Sequence, residues 1–300
     1  MKATAQPISA AVPEEKSWAA VFADLFKARL TFLVLITTMV GFYMGSTGPV
    51  NGLLLLHTML GTALLAAGGA ALNQLIEREH DAKMRRTADR PLPSGRLQPG
   101  TVLAVGWGTA VAGLFYLGIA ANMVTLLVGA VTFFTYVFVY TPLKRVTWLN
   151  TLVGAIPGAI PPLMGSTAAS GQITSVGLAL FAIQAFWQIP HFMAISWIYR
   201  DEYAKAGFKM LAVLDPRGIR TSRQALSHTI ALIGVSLCPF LLHLSGPVYL
   251  AGALLLGAAF LTYAARFARQ LTVSSARELF YVSIIYLPLI LIVMVLDKAQ

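Results

Sequence analysis

Nine stretches of roughly 20 mostly apolar residues divide this chain, each the length a helix needs to cross a bilayer core of about 30 Å. They run near 30–48, 53–76, 101–120, 123–140, 148–167, 173–198, 225–243, 247–265 and 279–296, with short polar breaks between them. The chain is 57% hydrophobic and 11% charged. Such spans lack the polar faces that helices of a large soluble core present to water. The expected fold is an all-α integral membrane protein of nine transmembrane helices. Residues 1–24 read as a polar leader and residues 25–300 as a single transmembrane domain. Met1–Glu15 has neither the Arg-rich amphipathic pattern of a transit peptide nor a cleavable signal, which favours a bacterial cytoplasmic membrane. Cys238 lies inside a span, so neither a disulfide framework nor a Cys-ligated metal is expected.

The net charge of +10 would suggest nucleic acid in a soluble protein. Here its placement explains it. The connections around Ser46–Asn51, Ala121–Asn122, Ala168–Gln172 and Ser245–Pro247 contain no Lys or Arg. The alternate connections hold Arg78 to Arg96, Lys144 and Arg145, Arg200 to Arg223, and Arg266 to Arg277. By the positive-inside rule the basic loops and the N-terminus are cytoplasmic, and nine spans put Asp297 and the C-terminus outside. No nucleic-acid partner is expected.

The two longest connections, 78–100 and 199–222, mix acids with bases, so the chemistry is expected there. Asn73, Glu77 and Asp81 stand at i, i+4 and i+8, on one helical face at the membrane border. Hard oxygen ligands of this kind suit Mg²⁺, which combines one or two carboxylates with substrate phosphates and waters. The spacing alone equally fits a solvated helix end. Arg86 and Arg90 follow before the turn-rich Pro91–Gly95. Arginine donates bidentate bonds to phosphate oxygens and stabilises a leaving diphosphate. Lys144 and Arg145 close the fourth span and are able to reach that charge, or serve only as a topology anchor.

The sixth span carries Gln184, Gln188 and His191 toward Tyr199, Arg200, Asp201 and Glu202. Polar groups inside a membrane are costly and face a cavity or a partner, which makes His191, beside Pro190, a functional candidate. Trp187 and Phe192 flank it with faces suited to an allylic cation or a porphyrin, or to packing alone. Asn150, Gly154, Pro157, Gly158, Pro161 and Pro162 predict a kinked, closely packed fifth span.

The stretch Asn73–Asp81 with Met84-Arg85-Arg86-Thr87 and Arg90-Pro91-Leu92 resembles the first motif of the heme O synthase branch of the UbiA prenyltransferase superfamily. Trp187–Phe192, Tyr199–Tyr203 and Gly207–Leu211 are similar to its second motif. Tyr140–Arg145 and Pro161–Gly165 match more weakly, and the likeness spans roughly residues 25–295. The resemblance implies nine helices around a central cavity, with two acidic motifs binding a Mg²⁺-diphosphate. It assigns metal contacts to Asn73, Glu77, Asp81 and the Asp201/Glu202 pair. It makes Arg86, Arg90, Lys144 and Arg145 diphosphate groups, and Trp187, Gln188, Tyr199 and Arg200 substrate neighbours. Glu77 in the first motif favours heme b over a quinone precursor as acceptor of a farnesyl group from farnesyl diphosphate, giving heme O. The chain departs from the pattern at Arg200-Asp201-Glu202-Tyr203, where Asp is expected before Tyr, and at Lys27-Ala28-Arg29, where Lys-Pro-Arg is expected. Which of Asp201 and Glu202 meets metal stays open. His191 is expected to ligate heme iron or orient the macrocycle. A heme A synthase partner follows from pathway logic alone. The rivals are a prenyltransferase for an aromatic or quinone precursor, and, from other classes, a transporter or a noncatalytic heme-carrying assembly factor.

Overall fold

The computed structural model describes residues 16–299, so the expectation for Met1–Glu15 falls outside the described residues. Nine helices among these are long and apolar enough to span a membrane. They are α2 (Ala28–Gly45), α3 (Gly52–Asp81), α4 (Pro99–Ala120), the composite span that begins with α5 (Met123–Phe134), α7 (Asn150–Ser170), α8 (Ser175–Ile198), α11 (Ile219–Leu241), α12 (Pro247–Gln270) and α13 (Val273–Leu296). The composite span runs from α5 through a π-helical turn, Thr135–Tyr140, into α6 (Thr141–Leu143). Three short helices complete the chain: α1 (Trp18–Leu25), α9 (Arg200–Ala206) and α10 (Leu211–Leu214).

Side-chain caps set several helix starts. Asn51, Asn122 and Thr174 accept from the backbone of α3, α5 and α8. Thr272 and Ser275 form a reciprocal capping box on α13. Proline opens α4 and α12, where its missing N–H costs nothing.

Large apolar side chains such as Ile119, Leu255 and Leu296 point outward. That is the pattern of a bundle bathed in lipid rather than water. α7 lies at the centre, buried over 72% of its apolar stretch against at most 50% for any other span. Three internal prolines make it tolerable as a helix only because its neighbours hold it. Gly41 on α2 abuts the Pro162 backbone, and Gly165 on α7 abuts the Thr38 carbonyl, so the two backbones touch with no side chain between them.

α3 is 30 residues long, or about 45 Å, which carries its last two turns past the apolar core of a bilayer. The stretch expected to be a leader is partly structured. α1 buries Val21 and Leu25 against Ala71, Leu92, Leu97 and Val102, and so belongs to the folded domain. A sharp junction at Lys27, held at φ 48, turns α1 into α2. Met84 packs with Ala206, Phe208 and Met210, which joins the two long connections into one cap over the end of the bundle.

Alternation of the spans collects the charged side chains at that end. Among the described residues only Asp297 and Lys298 sit at the other. There Lys298 donates to the Tyr43 and Ser46 carbonyls and Asp297 accepts from the Tyr249 N–H, tying the C-terminal end of α13 to α2 and α12.

Candidate active site

A cavity of about 80 Å³ opens beneath the cap, lined among others by Lys27, Glu77, Asp81, Arg90, Tyr140 and Lys144, with Arg86, Tyr203 and Phe208 on its cap side. A larger recess of about 660 Å³ lies along α12 at Arg266 and Arg269, is open, and contains no carboxylate.

The helical face of Asn73, Glu77 and Asp81 survives in three dimensions, but its members differ. Asp81 is fully buried and takes Arg90 Nη1 at 2.6 Å on Oδ2, while its Oδ1 is buried with no hydrogen-bond partner. Glu77 pairs with Lys144 Nζ at 2.7 Å from Oε1, off the alignment of a hydrogen bond. Asn73 sits one turn deeper. Its Oδ1 accepts from Lys27 Nζ at 2.6 Å and its Nδ2 donates to Thr141 Oγ1 at 2.9 Å.

The Thr141 hydroxyl in turn donates at 2.8 Å to the Tyr136 carbonyl, which also accepts the Thr141 N–H at the end of the π-helical turn. This chain fixes the amide so that oxygen, not nitrogen, faces Lys27. Thr141→Val is expected to leave a buried amide donor unpaired and to cost about 1–3 kcal/mol. The check is thermal unfolding in detergent, with Thr141→Ser restoring the midpoint.

Lys27 enters from the junction before α2 and Lys144 from the end of α6. Lys27 also donates to Tyr136 Oη at 3.1 Å. Burial, with Arg90 and Lys144 adding like charge, lowers the Lys27 ammonium from the ordinary lysine value to about 7, although Glu77 and Asp81 oppose the shift. Burial also disfavours the charge on Lys144, but Glu77 and Tyr140 outweigh it and hold that ammonium above its ordinary value. Lys144 Nζ stands 4.5 Å from the Tyr140 ring centroid.

A bound anion stabilises the protonated form of Lys27. Above about pH 7 the free site holds the neutral amine and binding must draw in a proton. Affinity for inorganic diphosphate is therefore expected to fall as pH rises through that value, by up to roughly tenfold per unit. Lys27→Arg stays charged and is expected to remove this dependence. Titration of both proteins a unit below and a unit above cancels the ligand's own ionisation.

The second acidic pair is divided. Asp201 projects away with 89% of its side chain exposed. Glu202 turns inward, with Oε2 buried and unpartnered. Arg86 lies between Tyr199 and Tyr203, 5.2 and 5.7 Å from their ring centroids, and donates to Tyr203 Oη. Arg200 stacks on Trp197 instead.

Other expected site residues are elsewhere. Arg145 donates to the Ile76 carbonyl and does not line the cavity. Gln188 donates to the Ala155 and Gln184 carbonyls, and Gln184 to the Gly158 carbonyl, so both tie α8 to α7. His191 and Trp187 face α13 rather than the acidic cavity. Sequence reasoning did not single out Lys27, Tyr136 or Thr141 as site groups. The available signals were Lys27 in the stretch Lys27-Ala28-Arg29 and Thr141 in the stretch Tyr140–Arg145, at span ends where lysines and hydroxyls also serve as ordinary membrane anchors.

No three His, Cys, Asp or Glu side chains converge to hold a metal by themselves among the described residues. Asp81, with Oδ1 free of any partner, and Glu77, held by Lys144 through one oxygen, fit instead a Mg²⁺ that shares its coordination with a diphosphate.

The profile of the UbiA prenyltransferase family matches residues 34–287. The chain belongs to the UbiA prenyltransferase family. It is a multi-pass membrane prenyltransferase. A protoheme IX farnesyltransferase of Solibacter usitatus is 48% identical over 92% of this chain and 98% of its own. A solved digeranylgeranylglyceryl phosphate synthase superposes with a TM-score of 0.80 at 15% identity, covering 93% of this chain and 98% of that one. A UbiA homologue from Archaeoglobus fulgidus bound to GPP and Mg²⁺ superposes at 0.65 with 14% identity, covering 91% and 99%. At such identities these structures establish the UbiA fold. The acidic motif of this UbiA prenyltransferase ends α3 at the mouth of its cavity, with the second motif in the cap above.

Proposed function

We propose that this enzyme transfers a farnesyl group from farnesyl diphosphate to a vinyl group of heme b, with addition of water, giving heme O and diphosphate. The observation that carries the reading is one small cavity where Glu77 and Asp81 meet Lys27, Arg90 and Lys144. The acceptor is suggested by the name of a relative 48% identical over nearly the whole chain.

Glu77 and Asp81, joined by Glu202 from the cap and by the Asn73 carbonyl oxygen behind Lys27, are the oxygens that would hold Mg²⁺. Bound there, the ion supplies positive charge against the diphosphate. Arg86, Arg90, Lys27 and Lys144 receive the leaving oxygens as the allylic carbon–oxygen bond breaks and its electron pair departs with diphosphate. Tyr136 and Tyr140, stacked at 5.9 Å, cover the allylic end. The vinyl π electrons form the new carbon–carbon bond. Water captures the resulting cation next to the porphyrin and loses a proton to solvent, so no protein nucleophile is needed. The basic connections at this end of the bundle support, by the positive-inside rule, a site that faces the cytoplasm of a bacterium from its inner membrane.

The test is incubation of purified protein with heme b, farnesyl diphosphate and Mg²⁺, followed by mass spectrometry. Farnesylated, hydrated heme is the expected product. Prenylation of an aromatic acid with no change to heme would overturn the acceptor and keep the reaction class.

A further inference from the structure

His191 lies within α8, eight residues before Tyr199, or about 12 Å deeper than the Arg86 rim along the helix. Its imidazole is held on three sides. The Trp187 ring stacks on one face at 4.9 Å and the Phe280 ring stacks at 5.1 Å. Nδ1 lies 2.7 Å from Ser283 Oγ on α13.

The direction of that last bond can be deduced. A serine hydroxyl has one proton, and Ser283 Oγ donates it to the Phe280 carbonyl at 2.6 Å, a partner unable to donate in return. Nδ1 is then the donor to Ser283, so the ring in its neutral form is the Nδ1–H tautomer with the lone pair on Nε2. Among the described residues no group hydrogen-bonds Nε2, and the atom is not sealed off from approach. Trp187 Nε1 donates to the Ser283 carbonyl at 2.6 Å, one turn before His191. Ser283 thus receives two donors from α8, which fixes the register of the two helices at the point where His191 is aimed.

A neutral imidazole oriented through its other nitrogen is the arrangement that metal-ligating histidines adopt. We infer that Ser283 is a positioning residue, holding His191 as the Nδ1–H tautomer so that Nε2 ligates the iron of the heme acceptor. This rests on the proposed acceptor.

Full-length protein in detergent is titrated with ferric heme b, and ligation is read from optical and EPR spectra. Inorganic diphosphate binding serves as the measure of an intact acidic site. Wild type is expected to show a histidine-ligated iron, and His191→Ala to lose that signature. Ser283→Ala is expected to bind heme roughly ten- to hundredfold more weakly. Ser283→Thr, which keeps the hydroxyl, is expected to bind as wild type, and all three variants to bind diphosphate unchanged. An unchanged spectrum in His191→Ala, or wild-type affinity in Ser283→Ala, would overturn the inference and leave the heme reaction standing. Joint loss of heme and diphosphate binding in both Ser283 variants would make it a packing residue and overturn the inference as well. Absence of heme binding by wild type would overturn both.

Discussion

Glu77→Gln is expected to lower prenyl transfer by about a hundred- to thousandfold, the range seen when one preorganised electrostatic group is removed from an active site. The change keeps shape and deletes one negative charge from the cavity, so a carboxylate able to meet a Mg²⁺-diphosphate loses its ionic character. It also strips Lys144 of its counter-charge. The pair is largely buried, with 4% of the Glu77 side chain and 17% of the Lys144 side chain exposed. Breaking such a pair from one side costs about 3–5 kcal/mol.

The stability cost is isolated in the double variant Glu77→Gln with Lys144→Met. It is expected to recover most of the thermal stability and none of the activity. Product formation followed by mass spectrometry, with unfolding temperature measured on the same samples, makes the check. Wild-type turnover in Glu77→Gln would remove Glu77 from the chemistry. Recovered activity in the double variant would reduce its role to neutralising Lys144.

The second large effect is expected far from the acidic cavity. A Cβ at Gly165 meets the Thr38 carbonyl and the Phe42 N–H, both backbone, at separations that real Cβ atoms do not adopt. Backbone cannot swing aside as a flexible side chain does. Gly165→Ala must therefore push α2 away from α7, at the top of or above the roughly 1–3 kcal/mol typical of overpacking. Lys27 immediately precedes α2 as its N-cap, so the displacement also loosens the Lys27–Asn73 bond. The expected outcome is a lower unfolding temperature together with weaker diphosphate binding. Gly48→Ala, where an added Cβ meets nothing within 4 Å, is expected to change neither. Equal behaviour of the two alanine variants would mean that α2 and α7 are not locked by close backbone contact.

Much of this architecture is carried by composition along the chain. Nine apolar runs are legible because each must match a bilayer thickness, and the ends of the observed spans fall within about six residues of the stretches read from sequence. The clustering of charge at one end is legible because alternate connections must be short and nonbasic. The Asn73, Glu77, Asp81 stripe is legible because α-helical periodicity aligns i, i+4 and i+8 over a short distance.

Roles within the stripe were not legible, since they depend on partners 9, 46, 67 and 68 positions away: Arg90 on Asp81, Lys27 and Thr141 on Asn73, and Lys144 on Glu77. The same holds for α8. Gln184, Gln188 and His191 share one face by periodicity, yet α7 takes the glutamines and α13 takes the histidine. The adjacent acids Asp201 and Glu202 are indistinguishable by type, and the rotation of about 100° between neighbours on α9 sends the first to solvent and the second inward. Hydrophobic length, charge and helical period act locally, so the order of residues along the chain suffices to give the apolar spans, the end of the bundle that bears charge and the helix that carries the acidic stripe. Tertiary structure alone decided which charge meets which, because a buried polar group is defined by the partner packed against it, and those partners come from helices far apart in the chain.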